Sequence, residues 1–345
     1  MKFGIFDYID WRDEPLAKIF DDRMVLLRAA EAAGFYGYHV TEHHATRLSS
    51  TPSPTVFLSA AARETTRIRL GALLFLLPLY NPLRLLEELC VLDHLSHGRL
   101  DIGVGRGISP HEFDALGIDY GTSDEVFEES LEILVKGLSN DVLDHQGKHY
   151  TFRDVPMVWR PMQKPCPPLW YGLRSAEGHT RPARYGMHGV TLGPTERIAS
   201  LLGSFAQSWQ QHANDPLRAS SPVKQPMMGA MRAMFLADSD AEAEKIARPA
   251  YKLWFDSLCA LWVRRGTMPP ISISADFDAA RKAGTLIVGS PETAKREFLA
   301  QARIAGFNYL VLQLAFGSLG HANEMRSLEL FAREVKPALE AMNLV

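Results

Sequence analysis

Two stretches of this chain combine residue types that could bind or transform a small molecule. The first, GVGRG at residues 103–107, sets three glycines at alternate positions with Arg106 among them. Glycines let a backbone approach a ligand closely and expose its N–H groups, and a guanidinium is a planar fixed charge suited to a phosphate. The spacing fits neither a dinucleotide fingerprint nor a Walker loop, since Ile108 stands where another glycine is needed and no Lys-Ser/Thr pair follows. A strand-end turn with a surface arginine is an equally good interpretation.

The second stretch, TEHHA at residues 41–45, carries two adjacent histidines. An imidazole can take up and release a proton near neutral pH, which suits general acid or base catalysis. Successive side chains of a strand point to opposite faces, so His43 and His44 are poorly placed to share one ion, and we expect no metal site. A purely structural contact is the alternative for each histidine.

The elements around the glycine loop are predicted to be a strand, a helix and a second strand. Residues 68–77 are almost entirely apolar, as in a strand buried on both faces. Asn81-Pro82 predicts a capped helix start, Gly98 a helix end, and residues 100–104 the next strand. A strand–helix–strand unit of this size implies a parallel sheet with helices outside, and in parallel barrels active sites lie at the carboxyl ends of the strands.

Composition narrows the class of protein. A chain of 345 residues with 46% hydrophobic residues is long enough for one barrel with insertions. The net charge of −3 gives no reason to expect nucleic acid or an anionic membrane as partner. Three scattered cysteines indicate neither a disulfide framework nor a zinc site. No signal-peptide core or membrane-length apolar run is evident, so we expect a cytoplasmic enzyme.

Three further segments are predicted from local patterns. Residues 139–168 are rich in proline and contain HQGKHYTF, which indicates an insertion that carries a hairpin. The segment Arg174-Ser175-Ala176-Glu177 is expected to start a helix that continues to Tyr185. Residues 264–286 form the least regular stretch, and long barrel loops of this kind are commonly lids or binding segments.

Four motifs together resemble the bacterial luciferase-like monooxygenase family of flavin-dependent (β/α)8 barrels. They span nearly the whole chain in the order of the family. They are FGIF at 3–6, VTEHHA at 40–45, LPLYNPLRLLEELCVLDHLSHGRLDIGVGRG at 77–107 and VGSPETAKREFLAQARIAGFNYLVLQ at 288–313. The resemblance implies one (β/α)8 TIM barrel with insertions over residues 1–345, with residues 264–286 as a mobile active-site loop.

The resemblance also implies an activity. Members of the family use reduced FMN, supplied by a separate FMN reductase, and O2 to oxygenate a small organic substrate, usually as homodimers. The apolar strand end at Leu74, Phe75 and Leu76 indicates a hydrophobic substrate. His43 matches the first histidine of the family's Glu-His-His motif, which faces the flavin and has a catalytic acid or base role. Glu42 and His44 are expected to hold the loop in place.

The cofactor contacts carry over residue by residue. A cis peptide bond beneath the flavin ring corresponds here to Leu73–Leu74. Phosphate recognition corresponds to Arg106 with the backbone of Gly107 and Ile108.

A second phosphate contact corresponds to Ser175 at the start of the expected helix. Arg174 departs from the luciferases, which carry glutamate there, and could add charge to the phosphate site. Gly105 replaces the reactive cysteine of the luciferases, so neither cysteine chemistry nor light emission is expected. Two alternatives remain open: hydride transfer with a deazaflavin, and a non-catalytic flavin-binding protein.

Overall fold

The computed structural model describes residues 1–175 and 177–342; Ala176 and residues 343–345 lie outside it. The strands within this part are β1 (Lys2–Asp7), β2 (Gly37–Val40), β3 (Arg69–Leu76), β4 (Leu100–Gly105), β5 (Val142–Gln146), β6 (Thr151–Pro156), β7 (Leu169–Gly172), β8 (His188–Thr191), β9 (Met228–Leu236), β10 (Leu286–Gly289) and β11 (Tyr309–Gln313). The helices are α1 (Leu16–Ala32), α2 (Pro54–Glu64), α3 (Pro82–Leu95), α4 (Pro110–Ala115), α5 (Ser123–Ser139), α6 (Thr180–Arg184), α7 (Thr195–Gln211), α8 (Asp240–Arg264), α9 (Phe277–Lys282), α10 (Pro291–Ala305), α11 (His321–Leu330) and α12 (Lys336–Glu340).

Eight parallel strands close into a barrel in the order β1-β2-β3-β4-β7-β8-β9-β11, and β11 pairs back with β1. Strand β10 pairs with the second half of β9. Helices cover the outside, which confirms the expected (β/α)8 TIM barrel with insertions. All strands of the closed ring therefore run in the same direction, and their carboxyl ends meet at one end of the barrel.

The apolar residues divide into two layers because each barrel strand is covered on both faces. Side chains such as Leu70, Leu89 and Phe298 fill the shell between strands and helices. Trp170, Met231 and other inward residues fill the barrel interior and extend to helix α8. No helix within the described ranges has both the length and the apolar character needed to cross a bilayer.

Local capping follows the sequence signals. The Asn81 side chain accepts hydrogen bonds from the backbone N–H groups of Leu83 and Arg84 and starts α3. Ser290 caps α10 through the N–H of Thr293, and that helix ends at Gly306 in the left-handed conformation that glycine tolerates best. The hairpin expected in residues 139–168 is present as the antiparallel pair β5–β6.

Two segments differ from prediction. The helix expected from Arg174 to Tyr185 is shorter, since a 3-10 turn at Glu177–His179 precedes α6 (Thr180–Arg184). Pro182 explains this, because it has no N–H to bond the carbonyl four residues earlier and is tolerated only in a first helical turn. Ser175 therefore lies in the loop after β7 and not inside a helix.

The stretch 264–286 is also less irregular than predicted. After an irregular segment at residues 265–276, helix α9 forms with Asp276 as its cap, whose side chain accepts a hydrogen bond from the N–H of Ala279. The sequence Asp-Phe-Asp-Ala-Ala-Arg-Lys contains that capping signal, and Phe277 supplies the buried contact that holds the helix.

Candidate active site

A histidine and a glutamate from separate elements meet at the carboxyl end of the barrel. His43 follows β2, and its Nδ1 lies 2.9 Å from Oε1 of Glu112 on α4. The carboxylate is buried while the imidazole keeps 23% of its surface exposed. The ring also stacks on Tyr8, with centroids 5.9 Å apart and planes 20° apart, and Tyr8 packs in turn against Trp254. This arrangement fixes the ring and leaves Nε2 as the nitrogen that Glu112 does not engage.

The neighbours of His43 in the motif have structural contacts, as expected. Glu42 accepts a hydrogen bond from the backbone N–H of Leu76 at 3.0 Å and lies 2.9 Å from Nε2 of His44. Burial raises the pKa of Glu42. Burial alone would lower the pKa of His44, but the contact with Glu42 outweighs it and raises that pKa. Glu42 thus joins the ends of β2 and β3.

The two histidines contact different carboxylates, His43 that of Glu112 and His44 that of Glu42. Within residues 1–175 and 177–342, no three His, Cys, Asp or Glu side chains converge in a way that could hold a metal ion.

Leu74 lies against the glycines of the neighbouring strands. The Leu73–Leu74 peptide bond is cis, as expected. A Cβ atom added at Gly105 would lie 2.6 Å from Cδ1 of Leu74, and one added at Gly172 would lie 3.1 Å from the same atom. At Gly103 an added Cβ would lie 2.2 Å from the carbonyl oxygen of the residue before Leu73. Gly103 and Gly105 therefore make room for strand β3.

Neighbouring apolar residues at this end of β3 lie on different faces of the barrel wall. Leu74 belongs to the barrel interior, whereas Phe75 is fully buried in the outer shell beside Tyr80. Of the residues on which the hydrophobic substrate was predicted, Leu74 is the one that is half-exposed at the mouth.

Three arginines, which we call the arginine cluster, converge beside this end of the barrel: Arg106, Arg174 and Arg197. Arg197 Nη2 donates to the backbone carbonyl of Arg174 at 2.7 Å. Partial desolvation lowers the pKa of Arg174, and the positive charges of Arg106 and Arg197 lower it further. Arg106 contacts Asp124 at 3.1 Å and lies over the ring of Tyr120. Asp124 is 83% exposed, so water screens its attraction for Arg106.

The remaining predicted phosphate contacts lie next to the cluster in the chain. Gly107 has a φ of +86°, which glycine adopts without strain, and turns the backbone after Arg106. The carbonyl of Ile108 accepts a hydrogen bond from Tyr120 at 3.4 Å. Ser175 follows Arg174 directly and is exposed.

The chemistry of these donors fits a bound phosphate. Like charges that approach one another and lack a buried counter-ion are relieved by an anion, and guanidinium groups match phosphate oxygens in geometry. The cluster lies at the same end of the barrel as His43. FMN carries such a phosphate, so the residues present fit this cofactor.

The segment 265–276 lies across this end of the barrel. Nε2 of His111, on α4 beside Glu112, lies 2.8 Å from the hydroxyl of Thr267. Arg174 donates to the carbonyl of Pro270 at 3.3 Å. The segment therefore contacts both the helix that carries Glu112 and the arginine cluster.

Sequence reasoning missed Glu112 and Arg197. Helix α4 begins with Ser109-Pro110-His111-Glu112, which has the spacing of a capping box with proline at the first position, and this signal could have found the helix. Nothing in the sequence around Arg197 distinguishes it from a surface arginine of helix α7.

A family model and two similar proteins indicate which family this chain resembles. Residues 1–308 match the family model described as luciferase-like monooxygenase. The protein y4wF of Sinorhizobium fredii is 34% identical over 319 residues, which cover 92% of each chain. The oxygenase component of the flavin-dependent trigonelline monooxygenase of Acinetobacter baylyi is 25% identical and covers 79% of this chain and 76% of its own.

Solved structures agree on the fold. The monooxygenase RslO1 from Streptomyces bottropensis superposes with a TM-score of 0.87 at 24% identity, over 98% of this chain and 100% of its own. The oxygenating constituent of 3,6-diketocamphane monooxygenase from Pseudomonas putida, solved with FMN, superposes with a TM-score of 0.78 at 21% identity, over 98% of each chain. The coenzyme F420-dependent tetrahydromethanopterin reductase of Methanopyrus kandleri superposes with a TM-score of 0.69 at 17% identity, over 97% of this chain and 98% of its own.

Proposed function

The chain belongs to the luciferase-like monooxygenase family, and we propose that it uses reduced FMN and O2 to oxygenate a small organic substrate. The observation that carries this proposal is the arginine cluster, three cations that contact no buried carboxylate within the described residues, at the barrel end where His43 meets Glu112. The relative from Acinetobacter baylyi is named a flavin-dependent monooxygenase, and the solved structure from Pseudomonas putida contains FMN. Both support FMN as the cofactor.

The chain's own residues would hold the cofactor by its phosphate. Arg106 and Arg174 supply charge, while the backbone at Gly107 and Ile108 and the hydroxyl of Ser175 supply hydrogen bonds. Leu73 and Leu74 provide the apolar surface on which the flavin ring would rest. Reduced FMN, when bound, supplies the electrons that activate O2.

His43 is placed to hold or move a proton at Nε2, because Glu112 engages Nδ1 and Tyr8 fixes the plane of the ring. Glu112 also stabilises the ring when it is positively charged, since a charge-assisted hydrogen bond is stronger than a neutral one. The segment 265–276 would limit the access of water to the reacting atoms, which strengthens electrostatic interactions inside the site.

A separate FMN reductase is the proposed source of reduced flavin. The trigonelline relative is named an oxygenase component and the camphane structure an oxygenating constituent, so both belong to systems with more than one component. We also propose a homodimer, as is usual in the family.

Hydride transfer with a deazaflavin is the second candidate, because the Methanopyrus kandleri fold neighbour depends on coenzyme F420. A non-catalytic flavin-binding role is the third. Anaerobic equilibrium dialysis against reduced FMN and a reduced deazaflavin separates the first two. We expect preferential binding of reduced FMN, and preference for the deazaflavin would contradict the proposal. If FMN binds but no O2-dependent product forms with any compound of a broad substrate screen, the non-catalytic role is favoured.

A further inference from the structure

A cavity lies directly against His43, between α4, the carboxyl-terminal end of α8 and the segment 265–276. His43, Ser109 and Glu112 line it together, and most of its other walls are apolar: Leu258, Leu261, Trp262, Pro269 and Ile271. About 30 Å³ of the cavity is open to the centres of water-sized molecules. Since one buried water needs about 10–15 Å³ of such space, the cavity has room for one or two water molecules.

Ser109 brings a buried hydroxyl group to this cavity. The residue is 3% exposed, and its Oγ has no hydrogen-bond partner within the described residues. A hydroxyl in this position gives up its hydrogen bonds to water and receives none from the protein, which is a cost that folded proteins rarely accept. An ordered water molecule in the cavity would remove that cost.

The position of Ser109 offers its hydroxyl a different partner, which it does not use. Ser109 is the N-cap of α4, and Glu112 stands three residues later, which is the spacing of a capping box. In such a box the serine and the glutamate side chains bond backbone N–H groups of the first turn. Ser109 makes no side-chain capping bond, and Glu112 contacts His43 instead. Both side chains therefore line the cavity rather than cap the helix.

The carboxylate of Glu112 also has capacity for a further donor. Its Oε1 lies 2.9 Å from Nδ1 of His43, and no second hydrogen bond to the carboxylate is found within residues 1–175 and 177–342. A buried carboxylate needs such bonds, because burial removes the water that would otherwise solvate it. The hydroxyl of Thr46, which also lines the cavity, is already engaged: it accepts from the N–H of Leu48 at 3.2 Å and donates to the carbonyl of Ser257 at 3.5 Å.

We propose that this cavity binds one ordered water molecule between Ser109 Oγ and the Glu112 carboxylate, and that Ser109 is a positioning residue for His43. The water donates one hydrogen bond to Glu112, and the Ser109 hydroxyl, which can donate or accept, bonds the same water. A hydrogen bond to a carboxylate is charge-assisted and therefore strong. The carboxylate is then held by a second contact and keeps Oε1 toward Nδ1 of His43. Ser109 acts on His43 only through Glu112.

The positioning role rests on the proposed function, because it adds a residue to the support of His43. The water site itself does not depend on FMN, so it can be tested on the protein without a cofactor. Pro269 and Ile271 belong to the segment 265–276 and form one wall of the cavity. This segment shields the water from bulk solvent, and hydrogen bonds are stronger in such surroundings than in open water.

High-resolution crystal structures of the wild type and of Ser109→Ala test the water site. In the wild type we expect one water molecule at about 2.6–3.2 Å from both Ser109 Oγ and a Glu112 carboxylate oxygen. In Ser109→Ala we expect that water to be lost. A wild-type cavity without this water, in a structure that resolves other buried waters, would overturn the proposal. Uptake of xenon under pressure without any water would do the same, because it would show an apolar gas site.

Turnover tests the positioning role. Ser109→Ala is expected to lower kcat about threefold to tenfold, as the loss of one hydrogen bond does, and to leave KM for the substrate nearly unchanged. In Glu112→Gln the same substitution should lower kcat by less than about twofold, because the residue through which Ser109 acts is already impaired. A water that persists in Ser109→Ala, wild-type kcat in that variant, or fully additive losses in the double variant would contradict this role.

Ser53→Ala is the matched control. Ser53 is likewise an N-cap followed by proline, at the start of α2, and it makes no side-chain capping bond, but it is exposed and does not line the cavity. We expect its kcat to equal that of the wild type. A loss in Ser53→Ala as large as that in Ser109→Ala would assign the effect to the helix start and would overturn the proposal.

FMN binding separates a failure of this inference from a failure of the proposed function. Dialysis against reduced FMN is carried out with the same variants, and we expect Ser109→Ala to bind it as the wild type does, since the arginine cluster is intact. Normal FMN binding together with wild-type kcat in Ser109→Ala would contradict only the role of Ser109. An ordered water at Ser109 in a protein that binds no FMN would contradict only the proposed cofactor.

Discussion

Nδ1 of His43 lies 2.9 Å from Oε1 of Glu112, so that one hydrogen bond joins the loop after β2 to the short helix α4 after β4. The two residues are separated by 69 positions in the chain. Because the carboxylate is buried and the imidazole keeps 23% of its surface exposed, the geometry of the pair suits a supported acid or base at the edge of a pocket better than a surface ion pair.

Replacement of His43 is expected to affect the reaction and not the binding of the cofactor. His43→Ala removes the proton-transfer group, and loss of such a group typically lowers turnover by about 100-fold or more. The affinity for reduced FMN stays nearly unchanged, because the arginine cluster is intact. Turnover is measured with the best compound from a substrate screen, and FMN affinity by dialysis. Unchanged turnover would remove His43 from the mechanism.

Glu112→Gln tests the support of that histidine. Glutamine keeps the size of the side chain but loses its negative charge, so we expect turnover to fall about tenfold, consistent with the weaker neutral hydrogen bond. Glu112→Asp, which keeps the charge on a shorter side chain, is the matched control and is expected to retain more activity. Equal activities of the two variants would show that the charge of Glu112 has no part in the reaction.

Arg106 and Asp124 form the pair that tests the phosphate assignment. Arg106→Ala is expected to weaken the binding of FMN about 10- to 100-fold, as removal of a charged hydrogen-bond donor does. Asp124→Asn should strengthen it slightly, because Arg106 loses its competing carboxylate. Arg333→Ala, on the exposed helix surface near the end of the chain, is the control and leaves the affinity unchanged. Wild-type affinity in Arg106→Ala would reject the assignment.

The glycines of strand β4 are predicted to matter for stability. A Cβ at Gly103 would lie 2.2 Å from a backbone oxygen, so Gly103→Ala should lower the free energy of unfolding by about 1–3 kcal/mol. Gly203, in the exposed part of α7, has open space around it, and Gly203→Ala should raise the free energy of unfolding by about 0.5–1 kcal/mol. Urea unfolding measures both. Equal stabilities of the two variants would contradict the close contact between β3 and β4.

A buried histidine predicts how stability depends on pH. Burial, assisted by the charge of Arg69, lowers the pKa of His39 from 6.5 to about 3, and its Nε2 lies 2.7 Å from the hydroxyl oxygen of Tyr309. Below pH 6.5 the unfolded chain takes up a proton that the folded chain does not, so stability is lost as the pH falls from 6.5 toward 3.

His39→Gln should remove this contribution and keep a partner for Tyr309. We expect its stability to fall less steeply with acidification, by up to about 1.4 kcal/mol per pH unit, in urea unfolding between about pH 4.5 and pH 7.5. If the stability of the wild type and that of His39→Gln depended on pH in the same way, the result would contradict a neutral buried His39.

Much of the barrel follows from local sequence signals. The apolar run of β3, the Asn81-Pro82 cap and the glycine after α3 each have one physical interpretation, and the structure agrees with all three. The helix after Ser175 could not be bounded, because Pro182 is compatible with the first turn of a short helix as well as with a break in a longer one.

The site is less accessible to sequence reasoning because its contacts join distant elements. Glu112 is one acidic residue among many until the fold brings it to His43, and Arg197 gains its meaning from proximity to Arg174. Likewise, Gly103 suggests a ligand when β4 is considered alone, whereas the neighbouring strand β3 is what needs the space.

The central claim, that the chain binds reduced FMN and directs its reaction with O2, is tested most directly by rapid mixing. The protein loaded with reduced FMN is mixed with oxygenated buffer, and the return of oxidised-flavin absorbance is compared with that of free reduced FMN. We predict a distinctly slower return on the protein, because the proposed site would hold the flavin away from water. A return as fast as that of the free flavin, together with tight binding of a reduced deazaflavin, would contradict the claim.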